Sequence, residues 1–573
     1  MNAPQPALVA PRPERLRLVG QRRQTLAVMH QRLMFGMLVY AGLIALIALR
    51  ILYLAAFGDH AGRKEELTAL IPQRGDILDR DGQPLARTID AWTIAVHPAK
   101  VIGDKLALAQ KLAQLMPEHS AQEYFALLRS NKPFVYLRRR ASPELVEAVN
   151  AIGEPGLALE REPDRLYPQT TLAAHVLGFT NIDGKGAAGV ERAFDAQLSD
   201  PATRGTPIVL SISSKVQQAL EAELGEAMQH FSAIGAAGVV MDVHTGEILA
   251  MTSMPTFNPN APGQGTPDQL FNRATQGVYE LGSTFKPFTL AMAMDSGIVK
   301  SFGQMYPCPK ELPAYGHIVH DTEPYGRPCS VAEIMKNSSN IGMAQIADQL
   351  GAARQQAWLK RMGFLSPVEI ELKERGRPLT PSTWGPFETM TVGYGQGIAV
   401  APLQLAMGYA TLFDGGVYHP PTILKVGPGH PLPPGRRVFT EDTSYRMRSL
   451  LRLVVMRGTG RKADAPGYRV GGKTGSAQKV INGRYSSLNI TSFAGVFPID
   501  DPRYVMVMML DSPKATPETF GFTTAAWNIG PAFGRAVSRI APMLGIAPDM
   551  NREPDMSEVL PYVQDAKPDA KMD

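Results

Sequence analysis

The most prominent hydrophobic pattern is an uncharged run close to the N-terminus. Residues 33–49 contain no charged side chain, Arg50 follows, and apolar residues continue to Phe57. The seventeen residues of the run span about 25 Å as a helix, and extension to Phe57 lets the helix cross a hydrocarbon core of about 30 Å. The pattern predicts a single transmembrane anchor over residues 33–57.

Two alternatives accompany the anchor. A cleaved signal peptide has an apolar region of only about 7–15 residues, and no convincing small-x-small cleavage site follows the run, so an uncleaved anchor is favoured. Arg50 is expected to snorkel to the interface, as long basic side chains near helix ends commonly do. Its other interpretation is a polar contact with a partner membrane helix.

Beyond the anchor, the sequence of residues 58–232 predicts a domain of mixed helices and strands and contains no motif typical of catalysis. Asp81-Gly82 is a turn signal between short apolar runs and predicts a hairpin over residues 74–86. Helices are predicted over Asp104–Met116 and Pro143–Ile152. We interpret this region as a binding or packing module.

Residues 233–547 predict an α/β or α+β domain. Hairpins are predicted around Thr245-Gly246 and around 500–502. Strands at both ends with helices between them predict one sheet that joins N- and C-terminal strands. The composition of residues 548–573, which are rich in Pro and acidic residues, predicts a disordered tail. The helices between the hairpins are predicted over Lys286–Asp295, Val331–Lys336, Ile341–Leu350 and Leu403–Leu412.

Composition agrees with a large globular protein. The length of 573 residues predicts several domains. Hydrophobic residues make up 44% and charged residues 19%, so the chain can bury large cores and disorder throughout is excluded. A mean hydropathy of −0.10 argues against a polytopic membrane protein.

The net charge of +5 belongs to a short segment. Residues 1–32 contain six Arg and one Glu, so the rest of the chain, with equal numbers of basic and acidic residues, is neutral. This placement disfavours a nucleic-acid partner. Beyond the apolar run only Arg63 and Lys64 are basic nearby, so residues 1–32 are predicted to be a cytoplasmic arm. The chain is then a single-pass inner-membrane protein, and its residues from 58 on, including the domain at residues 233–547, are periplasmic.

Three short motifs lie in order inside the second domain. Ser283-Thr284-Phe285-Lys286 is S-x-x-K, Ser338-Ser339-Asn340 is S-x-N, and Lys473-Thr474-Gly475 is K-T-G. Residues 476–479 and 487–489 repeat the first two patterns, but both lie after K-T-G and cannot give the required order. The ordered trio is the one found in serine β-lactamases and penicillin-binding proteins.

The residue types suit acyl transfer. Ser283 is predicted at a helix N-terminus, where Lys286 lies on the same helix face three residues later. A serine hydroxyl needs a base, and lysine serves only when burial or a cationic neighbour, such as Lys473, lowers its pKa. We expect Ser338 to relay a proton between Lys286 and the leaving amine. Asn340 offers a donor and an acceptor to a peptide amide.

The K-T-G segment is predicted to bind substrate from an edge strand. Gly471 and Gly472 leave room for a substrate backbone to pair with it. Lys473 and Thr474, followed by Gly475, would face a terminal carboxylate. The backbone N–H groups of Ser283 and Ser476 are the expected oxyanion donors.

These segments closely resemble the class B penicillin-binding proteins, the monofunctional D,D-transpeptidases of peptidoglycan synthesis. The resemblance runs from the anchor to about residue 545 and includes RGDILDRDGQPLA, Arg165–Pro168, GEILAM, FNRATQGVYELGSTFKPF and TVGYGQGIAVAPLQ. AAHVLGFTN followed by DGKGAAGVE is most similar to the division branch. Leu281 replaces a usual proline before Gly-Ser, and Ser476 replaces a usual threonine after K-T-G.

The resemblance implies a penicillin-binding transpeptidase fold over residues 233–547 and a pedestal, or dimerisation-type, domain over residues 58–232. It also implies a two-step reaction. Ser283 attacks the penultimate D-Ala carbonyl of a stem peptide, and an amine of a neighbouring stem then takes the acyl group. No cofactor is implied, and β-lactams would acylate Ser283. Partners implied by resemblance alone are a polytopic glycosyltransferase and other division proteins. The lack of a large N-terminal extension disfavours a bifunctional enzyme.

Three alternatives to a division transpeptidase stay open. One is an elongation-type class B transpeptidase. A second is an anchored β-lactamase or carboxypeptidase, which has no need of the residues between anchor and catalytic domain. The third is a β-lactam sensor or scaffold without activity, against which the intact trio argues.

The two cysteines and the histidines between them predict no metal site. Cys308 and Cys329 are too few for a disulfide scaffold or a four-Cys zinc site, and His317 with His320 gives too few ligands. No His-Glu-x-x-His or Gly-x-Ser-x-Gly motif occurs. An oxidising compartment permits a Cys308–Cys329 bridge, with a free pair as the alternative.

Overall fold

A computed structural model describes residues 15–57, 74–481 and 483–564 of the chain. The chain divides into two compact units, Met1–Ile71 and Pro72–Asp573. Part of the predicted cytoplasmic arm, residues 1–14, lies outside the described residues, as do Arg63 and Lys64.

A single helix, α1, makes up the described part of the first unit. It spans Arg15–Phe57 and therefore begins inside the predicted arm and runs through the predicted anchor. Its stretch Val28–Tyr53, 26 residues long, is long and apolar enough to cross a membrane. The guanidinium of Arg50 lies 5.7 Å from the centre of the Tyr53 ring.

The second unit begins with a five-stranded sheet. Strands β1 to β5 span Ile77–Leu78, Pro84–Val96, Val135–Ala141, Leu157–Leu166 and Ile208–Val209. β2 pairs antiparallel with β1, β3 and β4, whereas β5 runs parallel to β1. The hairpin predicted at Asp81-Gly82 is confirmed, since Ile77 lies opposite Ala86 and Gly82 turns the chain at φ +83°.

Helices complete this region. Helices α2 to α7 span Lys105–Leu115, Ala121–Leu128, Pro143–Asn150, Ala174–Leu177, Gly189–Ala193 and Asp195–Ser199. Leu112 of α2 and Val149 of α4 are fully buried in one small core with Ile94 of β2. The two helices predicted from sequence here are confirmed, with ends one or two residues shorter.

A buried ion cluster ties the segments of the pedestal together. Glu191, which is fully buried, accepts hydrogen bonds from Arg74 at 2.6 Å and from Arg165 at 2.7 Å. The Tyr167 hydroxyl donates to the same carboxylate at 3.2 Å. Because an unpaired buried charge is costly, each of these side chains depends on the others for its place.

The larger part of the second unit is a five-stranded antiparallel sheet. Its order is β14-β15-β16-β6-β7. Strands β6, β7, β14, β15 and β16 span Gly235–Asp242, Ile248–Met254, Gly471–Ile481, Arg484–Phe497 and Tyr504–Asp511. β16 pairs with β6, so the prediction of a sheet joining N- and C-terminal strands is confirmed.

Helices cover both faces of this sheet. Helices α8 to α17 span Ser214–His230, Pro267–Leu270, Lys286–Asp295, Val331–Lys336, Asn340–Leu350, Ala352–Arg361, Pro386–Gly393, Pro402–Phe413, Glu441–Arg457 and Ile529–Met543. Val505 and Val507 of β16 face the core shared with α10 and α15, whereas Met506 and Met508 face the core shared with α8 and α17. The alternation of a strand buried on both faces explains why its sequence is continuously apolar.

Short strands lie between these helices. Strands β8 to β13 span Met305–Tyr306, Glu311–Ala314, His317–His320, Cys329–Ser330, Val417–Tyr418 and Arg436–Arg437. β9 and β10 form an antiparallel hairpin, and β11 pairs with β8.

The prediction of a disordered tail is wrong for residues 548–564. Val559 is fully buried in the larger core, and the Tyr562 carbonyl accepts a hydrogen bond from Ser330 at 2.7 Å. Glu553 pairs with the buried Arg452 at 2.8 Å. Apolar anchors among the acidic residues supply the burial that composition alone did not indicate. Residues 565–573 lie outside the described residues.

Candidate active site

Ser283 lies in a short turn that leads directly into α10. The turn Gly282–Phe285 is 3-10 helical and α10 begins at Lys286, with Pro287 in its first turn. Gly282 has φ +57°, and a Cβ there would lie 3.1 Å from the Ser476 carbonyl oxygen. Glycine therefore permits both the turn and its close approach to β14.

Apolar packing holds this turn. The rings of Phe285 and Phe288 lie 5.5 Å apart, and both contact Phe364 at 5.2 and 5.1 Å. Ser283 itself keeps partial exposure, whereas Lys286 is fully buried. The nucleophile candidate thus faces solvent while the base candidate does not.

The Lys286 amine binds the S-x-N motif. Its Nζ donates to Asn340 Oδ1 at 2.8 Å, to Ser338 Oγ at 3.1 Å and to the Ser338 carbonyl oxygen. Burial lowers the pKa of Lys286 well below its ordinary value, and the positive charge of Lys473 lowers it further. The negative charge of Asp321 acts in the opposite direction. The net effect is a lowered pKa, which makes Lys286 a stronger candidate for the base than a lysine exposed to water.

Ser338 has an unusual backbone that exposes its carbonyl to Lys286. The residue lies between α11 and α12 with φ +62°, a conformation that costs energy for a side chain other than glycine. Ser339 caps α12 by accepting from the Gly342 N–H at 3.0 Å.

The K-T-G motif lies on β14, the edge strand of the sheet, as predicted. Lys473 is fully buried and donates to Thr474 Oγ1 at 3.2 Å and to the Thr474 carbonyl oxygen at 3.1 Å. Burial lowers the pKa of Lys473 to about 7. Thr459, from the loop after α16, contacts Thr474 Oγ1 at 2.8 Å.

The glycines of this strand serve close packing within the protein. A Cβ on Gly475 would lie 2.2 Å from the Leu281 carbonyl oxygen, beside the Ser283 turn. A Cβ on Gly471 or Gly472 would meet Ile499 or Phe493 at 2.5 and 2.6 Å. The expectation that these last two glycines leave room for substrate therefore needs correction, because they leave room for the protein's own side chains.

Ser476 organises the loop that follows β16. It is exposed at the strand edge, and its hydroxyl accepts a hydrogen bond from the Ala525 N–H at 2.9 Å. Lys479, the last residue of the repeated S-x-x-K pattern, lies on the same strand and pairs with Asp511 at 2.7 Å. The repeat is therefore not helical and does not form a serine–lysine pair on one helix face.

The prediction of a disulfide is confirmed. Cys308 and Cys329 form a bridge, their Cα atoms lie 5.9 Å apart, and both are buried. The bridge closes a loop that contains β9 and β10. His317 stacks on Phe387, with ring centres 4.0 Å apart, which gives it a packing role.

Sequence reasoning missed two side chains that contact the motifs. Asp321 accepts hydrogen bonds from the S-x-N segment, and Thr459 contacts both Thr474 and, at 3.5 Å, Lys473. Neither belongs to a motif with fixed spacing. A Gly on each side of Thr459 signals a tight loop but no chemistry.

Comparison with known families covers most of the chain. Residues 236–527 match the penicillin binding protein transpeptidase domain, and residues 69–202 match the penicillin-binding protein dimerisation domain. The probable peptidoglycan D,D-transpeptidase FtsI of Caulobacter vibrioides is 37% identical over 509 residues, which cover 87% of this chain and 85% of the relative. FtsI of Escherichia coli K12 is 32% identical, covering 85% of this chain and 86% of the relative.

Solved structures show the same fold. Penicillin binding protein 3 of Mycobacterium tuberculosis, complexed with aztreonam, is 26% identical with a TM-score of 0.66, covering 84% of this chain and 98% of that one. The same protein complexed with ampicillin is 27% identical with a TM-score of 0.66. The motifs, the fold and these matches agree, and the chain belongs to the class B penicillin-binding proteins, the peptidoglycan D,D-transpeptidases.

Proposed function

We propose that this chain crosslinks peptidoglycan stem peptides through an acyl-enzyme on Ser283, at the division septum. One observation carries the assignment of the site. A fully buried lysine, Lys286, follows Ser283 by one turn and donates hydrogen bonds to Ser338 and Asn340. This is the arrangement that converts a serine hydroxyl into a nucleophile without a histidine.

The first step forms the acyl-enzyme. Ser283 Oγ attacks the carbonyl carbon of the penultimate D-Ala, and its proton passes to the neutral Lys286 amine. The C–N bond to the terminal D-Ala then breaks, and Ser338 relays the proton from Lys286 to the departing amine. Backbone N–H groups of Ser283 and Ser476 stabilise the oxyanion.

The second step transfers the acyl group. An amine of a neighbouring stem peptide attacks the ester carbon, Ser283 leaves, and the proton lost by the amine returns to the serine oxygen. The broken peptide bond of the donor supplies the acyl group, so the reaction needs no nucleotide. β-Lactams enter the first step in place of the donor and acylate Ser283.

The K-T-G segment and Asn340 bind the substrate. Lys473, Thr474 and Gly475 bind the terminal carboxylate, and a carboxylate beside Lys473 favours its charged form. Asn340 must exchange a bond to hold a peptide amide, because its Nδ2 donates to the His320 carbonyl at 3.1 Å and its Oδ1 accepts from Lys286.

The cellular setting follows from α1. Its apolar stretch and the arginines before it support a single span of the inner membrane, with the N-terminus in the cytoplasm and the catalytic domain in the periplasm. The similarity to FtsI proteins supports the septal role. A polytopic glycosyltransferase and other division proteins are the proposed partners.

Fluorescent penicillin tests the assignment of the nucleophile. We expect stable labelling of the purified protein and none in Ser283→Ala, since acylation needs the hydroxyl. Ser487→Ala, in the repeated S-x-N pattern, is the matched control and should label normally. Rapid loss of the label would indicate a β-lactamase, and no labelling would indicate a sensor or scaffold.

Depletion of the protein in the source organism tests its cellular role. We expect filaments if the protein acts at the septum, whereas rounded cells would indicate a role in elongation.

A further inference from the structure

Asp321 lies directly after β10, inside the loop that the Cys308–Cys329 bridge closes. It precedes Ser339 by 18 residues, and its carboxylate reaches the N-terminus of α12. Neither the S-x-N motif nor any other short pattern includes it.

The carboxylate binds three groups of the S-x-N segment. Its Oδ2 accepts from the Ser339 hydroxyl at 2.7 Å, and its Oδ1 accepts from the Asn340 N–H at 2.5 Å and the Ile341 N–H at 3.0 Å. Hydrogen bonds to an ionised acceptor are about twice as strong as neutral ones. Asp321 therefore fixes the backbone from which the Asn340 side chain extends.

The residue before Asp321 fixes the side chain of Asn340. The His320 carbonyl accepts from Asn340 Nδ2 at 3.1 Å, which leaves Oδ1 to face the Lys286 amine at 2.8 Å. The amide orientation that Lys286 needs is thus set by the disulfide-closed loop.

The loop is itself attached to α12. The Tyr315 hydroxyl, at the tip of the β9–β10 hairpin, donates to Asp348 at 2.9 Å, and Gln345 donates to the Pro307 carbonyl at 2.6 Å. With the bridge at its base, the loop holds Asp321 from both sides. A rigid support is what a positioning residue requires.

The strained backbone at the first residue of the motif is what this support stabilises. Ser338, at φ +62°, turns its carbonyl and hydroxyl toward Lys286 at the cost of an unfavourable conformation. Such conformations persist only where surrounding contacts over-determine them. The three bonds to Asp321 begin at the next residue and offset that cost.

We propose that Asp321 is a positioning residue for acyl transfer, which holds Ser338 and Asn340 in the arrangement that engages Lys286. The inference rests on the proposed function of Ser283. It extends that function by assigning the arrangement of the S-x-N motif to a carboxylate outside all three motifs.

Asp321 also acts on the base through its charge. Two charged groups act on Lys286 in the described part of the chain: Lys473 from β14, whose charge lowers the pKa of Lys286, and Asp321, whose charge raises it. A variant that keeps the hydrogen-bond geometry but loses the charge therefore lowers the pKa of Lys286 and shifts the acid limb of the acylation rate to lower pH.

The test compares Asp321→Ala, Asp321→Asn and the control Glu323→Gln in the full-length protein. The second-order rate constant of acylation by fluorescent penicillin is measured from pH 5 to 9. We expect Asp321→Ala to lower this rate constant about tenfold or more, because it removes hydrogen bonds to a charged group. Asp321→Asn should retain more of the rate, with its acid limb at lower pH than in the wild type. Glu323 is an exposed carboxylate of the same loop and is not among the charges that act on the pKa of Lys286, so Glu323→Gln is the matched control and should behave as the wild type.

Each other outcome overturns the inference. Wild-type rates in Asp321→Ala, an unmoved acid limb in Asp321→Asn, or an equal loss in Glu323→Gln would each contradict it. If thermal unfolding shows that Asp321→Ala is not folded, the pH profile of the acylation rate of Asp321→Asn decides whether the inference holds. A wild-type protein that takes no label removes the proposed function and this inference together, whereas normal labelling with unaffected Asp321 variants removes this inference alone.

Discussion

Two lysines, both fully buried, determine the chemistry of the site. Lys286 and Lys473 have lowered pKa values, chiefly because burial disfavours their charged forms. The same burial has different uses. In the proposed mechanism Lys286, whose pKa the charge of Lys473 lowers further, is the base for Ser283, and Lys473 binds the substrate carboxylate, which favours its charged form.

Replacing Lys286 with Met removes the base but keeps the apolar volume. We expect the acylation rate constant to fall about 100- to 10,000-fold, the usual contribution of a general base. In the wild type the rate should fall as the pH falls, because Lys286 takes up a proton, and this slope should vanish in Lys286→Met. Stopped-flow labelling at several pH values measures both. Lys360→Met, an exposed lysine of α13, is the control and should leave rate and slope unchanged.

At the scale of loops and helices, hydrogen bonds between residues distant in sequence determine where the S-x-N motif lies. The disulfide-closed loop reaches it through Asp321, and the C-terminal segment reaches the start of α11 through the Ser330–Tyr562 bond. Both ties join parts of the chain that are distant in sequence. The motif is therefore held by elements that carry no motif of their own.

Removing the bridge destabilises the protein. Closing a loop between residues separated by 21 positions restricts the unfolded chain, so Cys308→Ser with Cys329→Ser should lower the free energy of unfolding by about 3 kcal/mol. Urea unfolding measures the loss, and a reducing agent should reproduce it in the wild type without affecting the double variant. Alkylation of two thiols in the unreduced protein would contradict the bridge.

The packed C-terminal segment gives a second stability prediction. Val559 is fully buried, so Val559→Ala removes apolar contacts and should lower the free energy of unfolding by about 2 kcal/mol. Met550 is 71% exposed, and Met550→Ala should change the free energy by less than about 0.5 kcal/mol. Equal effects of the two variants in thermal unfolding would show that the segment does not pack against the domain.

In the chain as a whole, net charge and hydrophobicity are unevenly distributed along the sequence. The excess positive charge lies in residues 1–32, before the uncharged run at residues 33–49, and the residues beyond position 32 are neutral overall. The net positive charge therefore supports the proposed membrane orientation and gives no argument for a nucleic-acid partner.

Protease accessibility tests this orientation. In spheroplasts, added protease should digest the chain beyond α1 and leave an N-terminal epitope tag intact, because the proposed topology places only the arm in the cytoplasm. Inverted membrane vesicles should give the opposite pattern. Loss of the tag in intact spheroplasts would reverse the topology.

Part of this protein follows from the sequence by itself. The apolar run, the paired hairpins, the serine and lysine three residues apart and the edge strand with K-T-G all depend on contacts between near neighbours or on a regular period, which a sequence displays directly. The order of the motifs was enough to identify the chemistry.

The tertiary structure alone decided the rest. It brought Asp321 to Asn340 and Thr459 to Thr474, assigned Gly471 and Gly472 to packing, and folded residues 548–564 onto the domain. These contacts join residues with no fixed spacing, and their strength depends on burial, which exists only once the chain has folded. The base needs the same burial, since Lys286 is an ordinary lysine until the fold removes it from water.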